Sequence, residues 1–226
     1  MITLHYLNNS RAQRILWILE ELELDYEIKT YERDPITIMA PDSLLKVHPL
    51  GKSPVITDDQ TQITLAESGA IIEYLVDTYS SDLLKPSKQQ PAYWQYVYWL
   101  HYAEGSLMPP LLMSLVFNKM KEAKMPFFIK PIAKMLVNKV MGAFVSPNLK
   151  KHMSYMDAHL AKNTWFTGEQ FTAADIQMSF PLEASLARGM TGQYPHIEAY
   201  VARFQSRAAY KKALNAGLDY AYGGTR

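Results

Sequence analysis

The stretch Ile2-Thr3-Leu4-His5-Tyr6, then Ser10-Arg11-Ala12-Gln13-Arg14-Ile15-Leu16-Trp17-Ile18-Leu19, then Tyr26-Glu27-Ile28-Lys29-Thr30, decides the fold class. Ile2, Leu4 and Tyr6 alternate with Thr3 and His5, a strand period. Ile15, Ile18, Leu19 and Leu22 recur at i, i+3, i+4 and i+7, which predicts an amphipathic helix over 11–23. Tyr26, Ile28 and Thr30 return to the strand period, so the chain opens on a βαβ unit.

Working outward, a loop at 32–41 leads to a short helical stretch near 42–47. Strands follow at 54–57 and 62–66, joined by the polar Asp58-Asp59-Gln60-Thr61 as in a hairpin. Ile71, Ile72, Leu75, Val76 and Tyr79 share one face of a further helix, which completes βαβαββα. Beyond it the periodicity is helical almost throughout, with helices expected in 91–119, over the apolar stripe from Ile129 to Phe144, at 148–162, 173–187 and 195–206, and near 210–216. Pro109-Pro110 should kink or split the first of these. The expected organisation is an α/β domain over 1–82, a linker over 83–90 and an all-α domain over 91–226. There is no internal repeat.

Composition narrows the chemistry. The 226 residues are 48% hydrophobic and 20% charged, with 23 Lys+Arg against 22 Asp+Glu and no cysteine. No cysteine means no disulfide scaffold, Cys-ligated metal, CxxC redox pair or Cys-His nucleophile. A net charge of +1 supplies no global field for nucleic acid or an anionic membrane. The N-terminus lacks a secretory pattern and no apolar run is long enough to span a bilayer, so the expected location is the cytoplasm, with neither membrane nor nucleic acid as partner.

Several motifs fail on inspection. Gly51-Lys52-Ser53 resembles the end of a phosphate loop, but Lys46 stands where that loop needs glycine. The six histidines form no metal-ligand spacing; His152 and His159 share a helix face without a third ligand, so no metal is expected. There is no GxSxG elbow and no GxGxxG turn. Six lysines in 119–139 against Glu122 alone, beside an apolar stripe, fit either a membrane-surface helix or a bundle helix with a solvated basic face. The width of the stripe favours the bundle helix.

Two places could receive an anion. Ser10 followed by Gln13 reads as a capping box, and a serine at a helix N-terminus also presents a hydroxyl where the helix dipole favours negative charge. Ser68 starts the next helix in the same way, with Glu67 beside it to meet a cation. An amino-acid head group, carrying a carboxylate and an ammonium, would satisfy both. Between them Lys52 could hold a second carboxylate. Pro54 heads a strand, where a cis Ser53-Pro54 bond would turn the Ser53 main chain toward an extended ligand; an ordinary trans proline fits the same place.

Together these residues resemble the glutathione S-transferase family over essentially the whole chain. The likeness rests on Ser10-Arg11-Ala12-Gln13-Arg14, on His48-Pro49-Leu50-Gly51-Lys52-Ser53-Pro54, and on Leu65-Ala66-Glu67-Ser68-Gly69-Ala70-Ile71-Ile72-Glu73-Tyr74-Leu75. It continues through Trp165-Phe166-Thr167-Gly168-Glu169-Gln170-Phe171-Thr172-Ala173-Ala174-Asp175-Ile176 and from Tyr194-Pro195 to Tyr210. It is nearest the bacterial and fungal members that look serine-type.

The resemblance implies a thioredoxin-like glutathione-binding domain, an all-helical domain and a homodimer with the aromatic helix after Pro91 near its axis. It implies an enzyme that conjugates glutathione, a co-substrate, to small hydrophobic electrophiles in detoxification. A glutathione-dependent peroxidase or a non-catalytic glutathione-binding protein are the alternatives. Carried over by position, Ser10 bonds the sulfur, Lys52 meets the glycyl carboxylate, Ser53 before cis Pro54 and Val55 pairs with the cysteinyl unit, and Glu67 with Ser68 holds the γ-glutamyl head. Asn8, Asn9 and Tyr6 are alternatives to Ser10, and Tyr6 alternates with Ile2 and Leu4 toward the core. Leu7, Tyr102, Met108 and Met113 are candidate walls for the electrophile. Thr172 and Asp175 form a capping box with a folding role. Gly69 stands where the family often has arginine, so one anion contact must be missing or come from elsewhere.

Overall fold

The computed structural model describes residues 1–37, 39–80, 84–218 and 220–223. The expected end of the first domain at 82 and the start of the linker at 83 lie outside the described residues.

The chain opens with β1 (Ile2–Leu7), α1 (Ala12–Glu21), β2 (Tyr26–Tyr31), a single turn α2 (Asp42–Leu45), β3 (Val55–Asp58), β4 (Ile63–Ala66) and α3 (Ser68–Tyr79). The sheet order is β2-β1-β3-β4, with β1 parallel to β2 and β3 antiparallel to both of its neighbours. The first pair is parallel because α1 carries the chain back across the sheet, while the polar turn after β3 lets β4 fold straight back. This is the expected βαβαββα order.

β1 is covered on both faces. Ile2, Leu4 and Tyr6 enter the main core, and Leu7 meets Tyr31 and Leu44 on the other side. α1 carries eight consecutive buried residues, Ala12 to Leu19. Trp17 among them is fully buried, its ring 5.2 to 5.6 Å from those of Phe171, Phe204 and Tyr210. One tryptophan thus ties the α/β region to the helical region.

The helices that follow are α4 (Ala92–Tyr102), α5 (Met108–Glu122), α6 (Lys130–Val140), α7 (Ser146–Leu160), α8 (Ala173–Ser185), α9 (Pro195–Gln205) and α10 (Ala208–Ala216). Pro109-Pro110 does not break the first rod. α4 passes into α5 through a π-helical turn, Ala103–Leu107. Two prolines cannot donate to the carbonyls four residues before them, so the turn ahead of them widens instead. The Thr172/Asp175 box is present: Asp175, fully buried, accepts from Thr172 N at 2.8 Å, Phe166 N at 2.9 Å and the Tyr200 hydroxyl at 3.0 Å.

Two expectations fail. Ser10 and Gln13 form no capping box, because the Gln13 side chain is buried and accepts the Tyr6 hydroxyl at 2.8 Å; Ser10 Oγ instead accepts from Ala12 N at 3.1 Å. The stripe from Ile129 to Phe144 is not a core face either. Of α6 only Val137 is buried, while Ile129, Ile132, Met135, Leu136, Val140 and Phe144 are exposed.

Candidate functional site

A cleft of about 540 Å³ opens where the C-terminal end of β1, the loop before β3 and the start of α3 face α5. Leu7, Lys52, Ser53, Pro54, Glu67 and Ser68 line it from the α/β side, and Glu104 and Leu112 from the helical side. Six of the expected site residues therefore meet in one place although they lie as far apart as 7 and 68.

The Ser53–Pro54 peptide is cis. Ser53 Oγ donates to the His5 carbonyl at 3.0 Å and accepts from Leu7 N at 3.2 Å, which pins the loop to β1. Its only proton is taken by that carbonyl, so in the 3.3 Å contact between Ser10 Oγ and Ser53 Oγ the donor is Ser10. Ser10 is 5% exposed and sits one hydroxyl behind the cleft surface, screened by Ser53. Gly51, just before, has φ +55, where glycine is least strained, and a side chain there would press on the end of Leu45 at 2.8 Å. Val55 is buried and opposes His5 and Ala66 in the sheet; it anchors Pro54 and shows no surface to the cleft, against its expected direct role.

Glu67 takes φ +71, an unusual conformation for a non-glycine residue, immediately before α3. Ser68 is buried, and its oxygen accepts from Arg14 Nη1 at 3.3 Å. Its hydroxyl proton is thereby left to donate toward the cleft. Arg14 is fully buried in α1, 5.3 Å from the Phe180 ring centre, and burial lowers it to about 10, so it stays charged at neutral pH. Its Nη1 also lies 3.0 Å from Glu104 Oε1, and Arg11 Nε lies 2.9 Å from the same oxygen. Burial pushes the Glu104 carboxyl up, but Arg14 and Arg11 outweigh it and hold it below the usual range.

The guanidinium that Gly69 lacks thus reaches Ser68 from α1. Arg11, Arg14, Arg33, Glu104 and Leu112 were given no role from the sequence. Arg14 alone carried a signal there, a charge four residues before Ile18 on the apolar face. Glu104 carried none, since a π-helical turn sets its direction.

The alternatives to Ser10 point elsewhere. Tyr6 is fully buried on Gln13. Asn8 Oδ1 accepts from Arg33 N at 3.2 Å, and Asn9 Oδ1 from Ala221 N at 2.8 Å. Of the expected apolar walls only Leu7 lines the cleft. Tyr102 is buried with its hydroxyl on His152 Nδ1, Met108 is buried in the first turn of α5, and Met113 packs against the core; Leu112 takes the place expected of them. Among the described residues no three His, Asp or Glu side chains gather as a metal site.

Residues 10–78 match the family described as Glutathione S-transferase, N-terminal domain, and residues 119–208 match Glutathione S-transferase, C-terminal domain. The chain is 43% identical over 197 residues to Glutathione S-transferase 3 of Schizosaccharomyces pombe, covering 87% of this chain and 78% of that one. It is 35% identical over 231 residues to Glutathione S-transferase 1 of Saccharomyces cerevisiae, covering 97% and 98%. A solved glutathione S-transferase from Actinobacillus pleuropneumoniae superposes with TM-score 0.79 at 34% identity over 99% of this chain and 100% of that chain. A sphingomonad glutathione S-transferase complexed with glutathione shares the fold, at TM-score 0.70 and 22% identity over 95% and 98%.

Proposed function

The chain belongs to the glutathione S-transferase family and is a glutathione transferase, and from that premise we propose how its cleft works. Ser10 stabilises the thiolate of bound glutathione, which attacks an electrophilic carbon; the carbon–sulfur bond forms as the leaving group departs with its electron pair and the thiol proton goes to solvent. Lys52 meets the glycyl carboxylate, the Ser53 main chain before cis Pro54 pairs with the cysteinyl unit, and Glu67 with Ser68 takes the γ-glutamyl ammonium and carboxylate. Val55 positions Pro54, and Arg14 positions Ser68. The observation that carries this reading is the convergence of cis Ser53–Pro54 and the Glu67–Ser68 corner on one cleft, with Ser10 Oγ 3.3 Å from Ser53 Oγ.

The energetics suffice. A free thiol titrates near 8.5, and lowering it by about two units needs about 2.7 kcal/mol. A hydroxyl bond to an anion supplies about 1.5–3 kcal/mol and a helix terminus up to ~2. With no cysteine in the chain, the sulfur arrives on the substrate, and mixed-disulfide chemistry of the cysteine-type members is closed to it.

Small hydrophobic electrophiles, met between Leu7 and Leu112, are the second substrates in this reading, and their removal the biological role. The cytoplasm, where thiols are kept reduced, suits it. The division at 1–82, 83–90 and 91–226 belongs to the same reading, as does a homodimer meeting near the exposed Trp94, Tyr98 and Tyr155. Parallel assays with a chlorinated nitroarene and cumene hydroperoxide test it: conjugation should exceed peroxidase turnover, and turnover of the hydroperoxide alone contradicts it.

A further inference from the structure

Where α5 ends and α6 begins, a run of large apolar side chains is left bare. Phe127 is 86% exposed and Met135 61%, and Phe128, Ile132, Leu136 and Phe144 are more than half exposed. Contiguous apolar surface of this kind marks an interaction site in a soluble protein. Interleaved with it are Lys119, Lys121, Lys124, Lys130, Lys134 and Lys139, against Glu122 as the one acid in 119–144.

We propose that this hairpin, 120–144, is a docking element for an anionic lipid surface, with Phe127 and Phe128 leading into the acyl boundary and the lysines above the headgroup phosphates. Aromatic and aliphatic side chains flanked by lysine are the composition of helices that lie in the interfacial plane. The negative surface potential of an anionic leaflet adds attraction for each lysine near it. Among the described residues no helix is long and apolar enough to cross a bilayer, so the contact is peripheral.

Charge decides against a second copy of the chain. In a two-fold pair a surface faces itself, and the segment 119–144 would set six lysines against six with a single glutamate on each side. The aromatic group around Trp94 suits a two-fold contact better and lies at the opposite end of the α4–α5 rod, about 40 Å away at 1.5 Å per residue. Leu112, Val116 and Met120, each exposed and spaced four residues apart along α5, continue the bare surface back to Leu112 at the cleft. A docked hairpin therefore brings the cleft toward the lipid.

The test is sedimentation of the full chain with phosphatidylcholine vesicles and with vesicles in which a third of the lipid is phosphatidylserine. Binding should be at least tenfold stronger to the anionic vesicles and should fall steeply as salt is raised. Phe127→Ser with Phe128→Ser, and separately Lys130→Gln with Lys134→Gln, should each weaken it tenfold or more while conjugation of a soluble nitroarene is unchanged, which shows the variants folded. No binding, equal binding to both vesicles, or variants that bind as the native chain does would overturn the proposal. So would a fall in native mass by light scattering in the phenylalanine variant, which would give the surface to a second copy.

Discussion

At the cleft wall built by the ends of β1 and α1, Ser10, Ser53 and Ser68 each have a named partner, and the buried Arg14 ties the wall to Glu104 of the opposite domain. At the hairpin 120–144, Phe127, Met135 and their neighbours are left bare although they are far more costly to hydrate. The contrast separates two demands on one chain. A wall that must orient a small polar molecule is preorganised by bonds within the protein. A surface left apolar in the isolated chain is complete only when something else covers it.

The comparison has a control within the helical domain, and it carries the largest expected effect. Asp175 accepts four buried donors, so Asp175→Ala should cost about 3–5 kcal/mol of stability, as for other broken buried charge networks, and lower Tm by many degrees in calorimetry. A small loss would mean that the helical domain is loosely held throughout and the hairpin nothing special.

Glu183 provides a pH readout of the same packing. Burial raises its carboxyl to about 7 from 4.5, despite bonds from Tyr210, Gln205 and Tyr220, so the folded chain keeps a proton that the unfolded chain releases. Stability from this group is full below about 4.5 and is lost as pH rises to about 7, a span of at most about 3 kcal/mol. Glu183→Gln should remove that part of the slope of Tm against pH between 5 and 7; an unchanged slope contradicts the burial argument.

On the cleft wall, Ser10→Ala should lower kcat/KM for nitroarene conjugation by ten- to a hundredfold, about 1.5–3 kcal/mol, with glutathione affinity nearly intact. Glu104→Gln frees Arg11 and Arg14 and acts on binding instead, so KM for glutathione should rise several-fold, about 1 kcal/mol, with kcat little changed. At the bare surface Ile132→Ser and Met135→Ser should each stay within about 0.5 kcal/mol of native stability in urea titrations. A loss of several kcal/mol there would erase the contrast.

Much of this was legible in the sequence, for reasons the same contrast explains. Strand and helix periods along 2–79 named the elements in order, because local periodicity reports local structure. Ser53-Pro54 and Glu67-Ser68 were legible as candidates, and the structure brings both to one cleft; Thr172 with Asp175 was legible as a cap. Long-range partners were not: Arg14 bonds Ser68 54 positions away, and Glu104 reaches Arg11 across 93. The Ser10–Gln13 pattern misled because Tyr6, seven residues back, claims the Gln13 side chain. The stripe from Ile129 to Phe144 misled differently. An amphipathic period tells which face is apolar and says nothing of what covers it.

The central claim is that Ser10 holds a thiolate, and titration of the ultraviolet thiolate absorbance of bound glutathione tests it most directly. The native protein should show the bound thiol ionising about two units below 8.5, and Ser10→Ala should return it most of the way toward that value. Native and Ser10→Ala proteins ionising the bound thiol at the same pH would contradict the account.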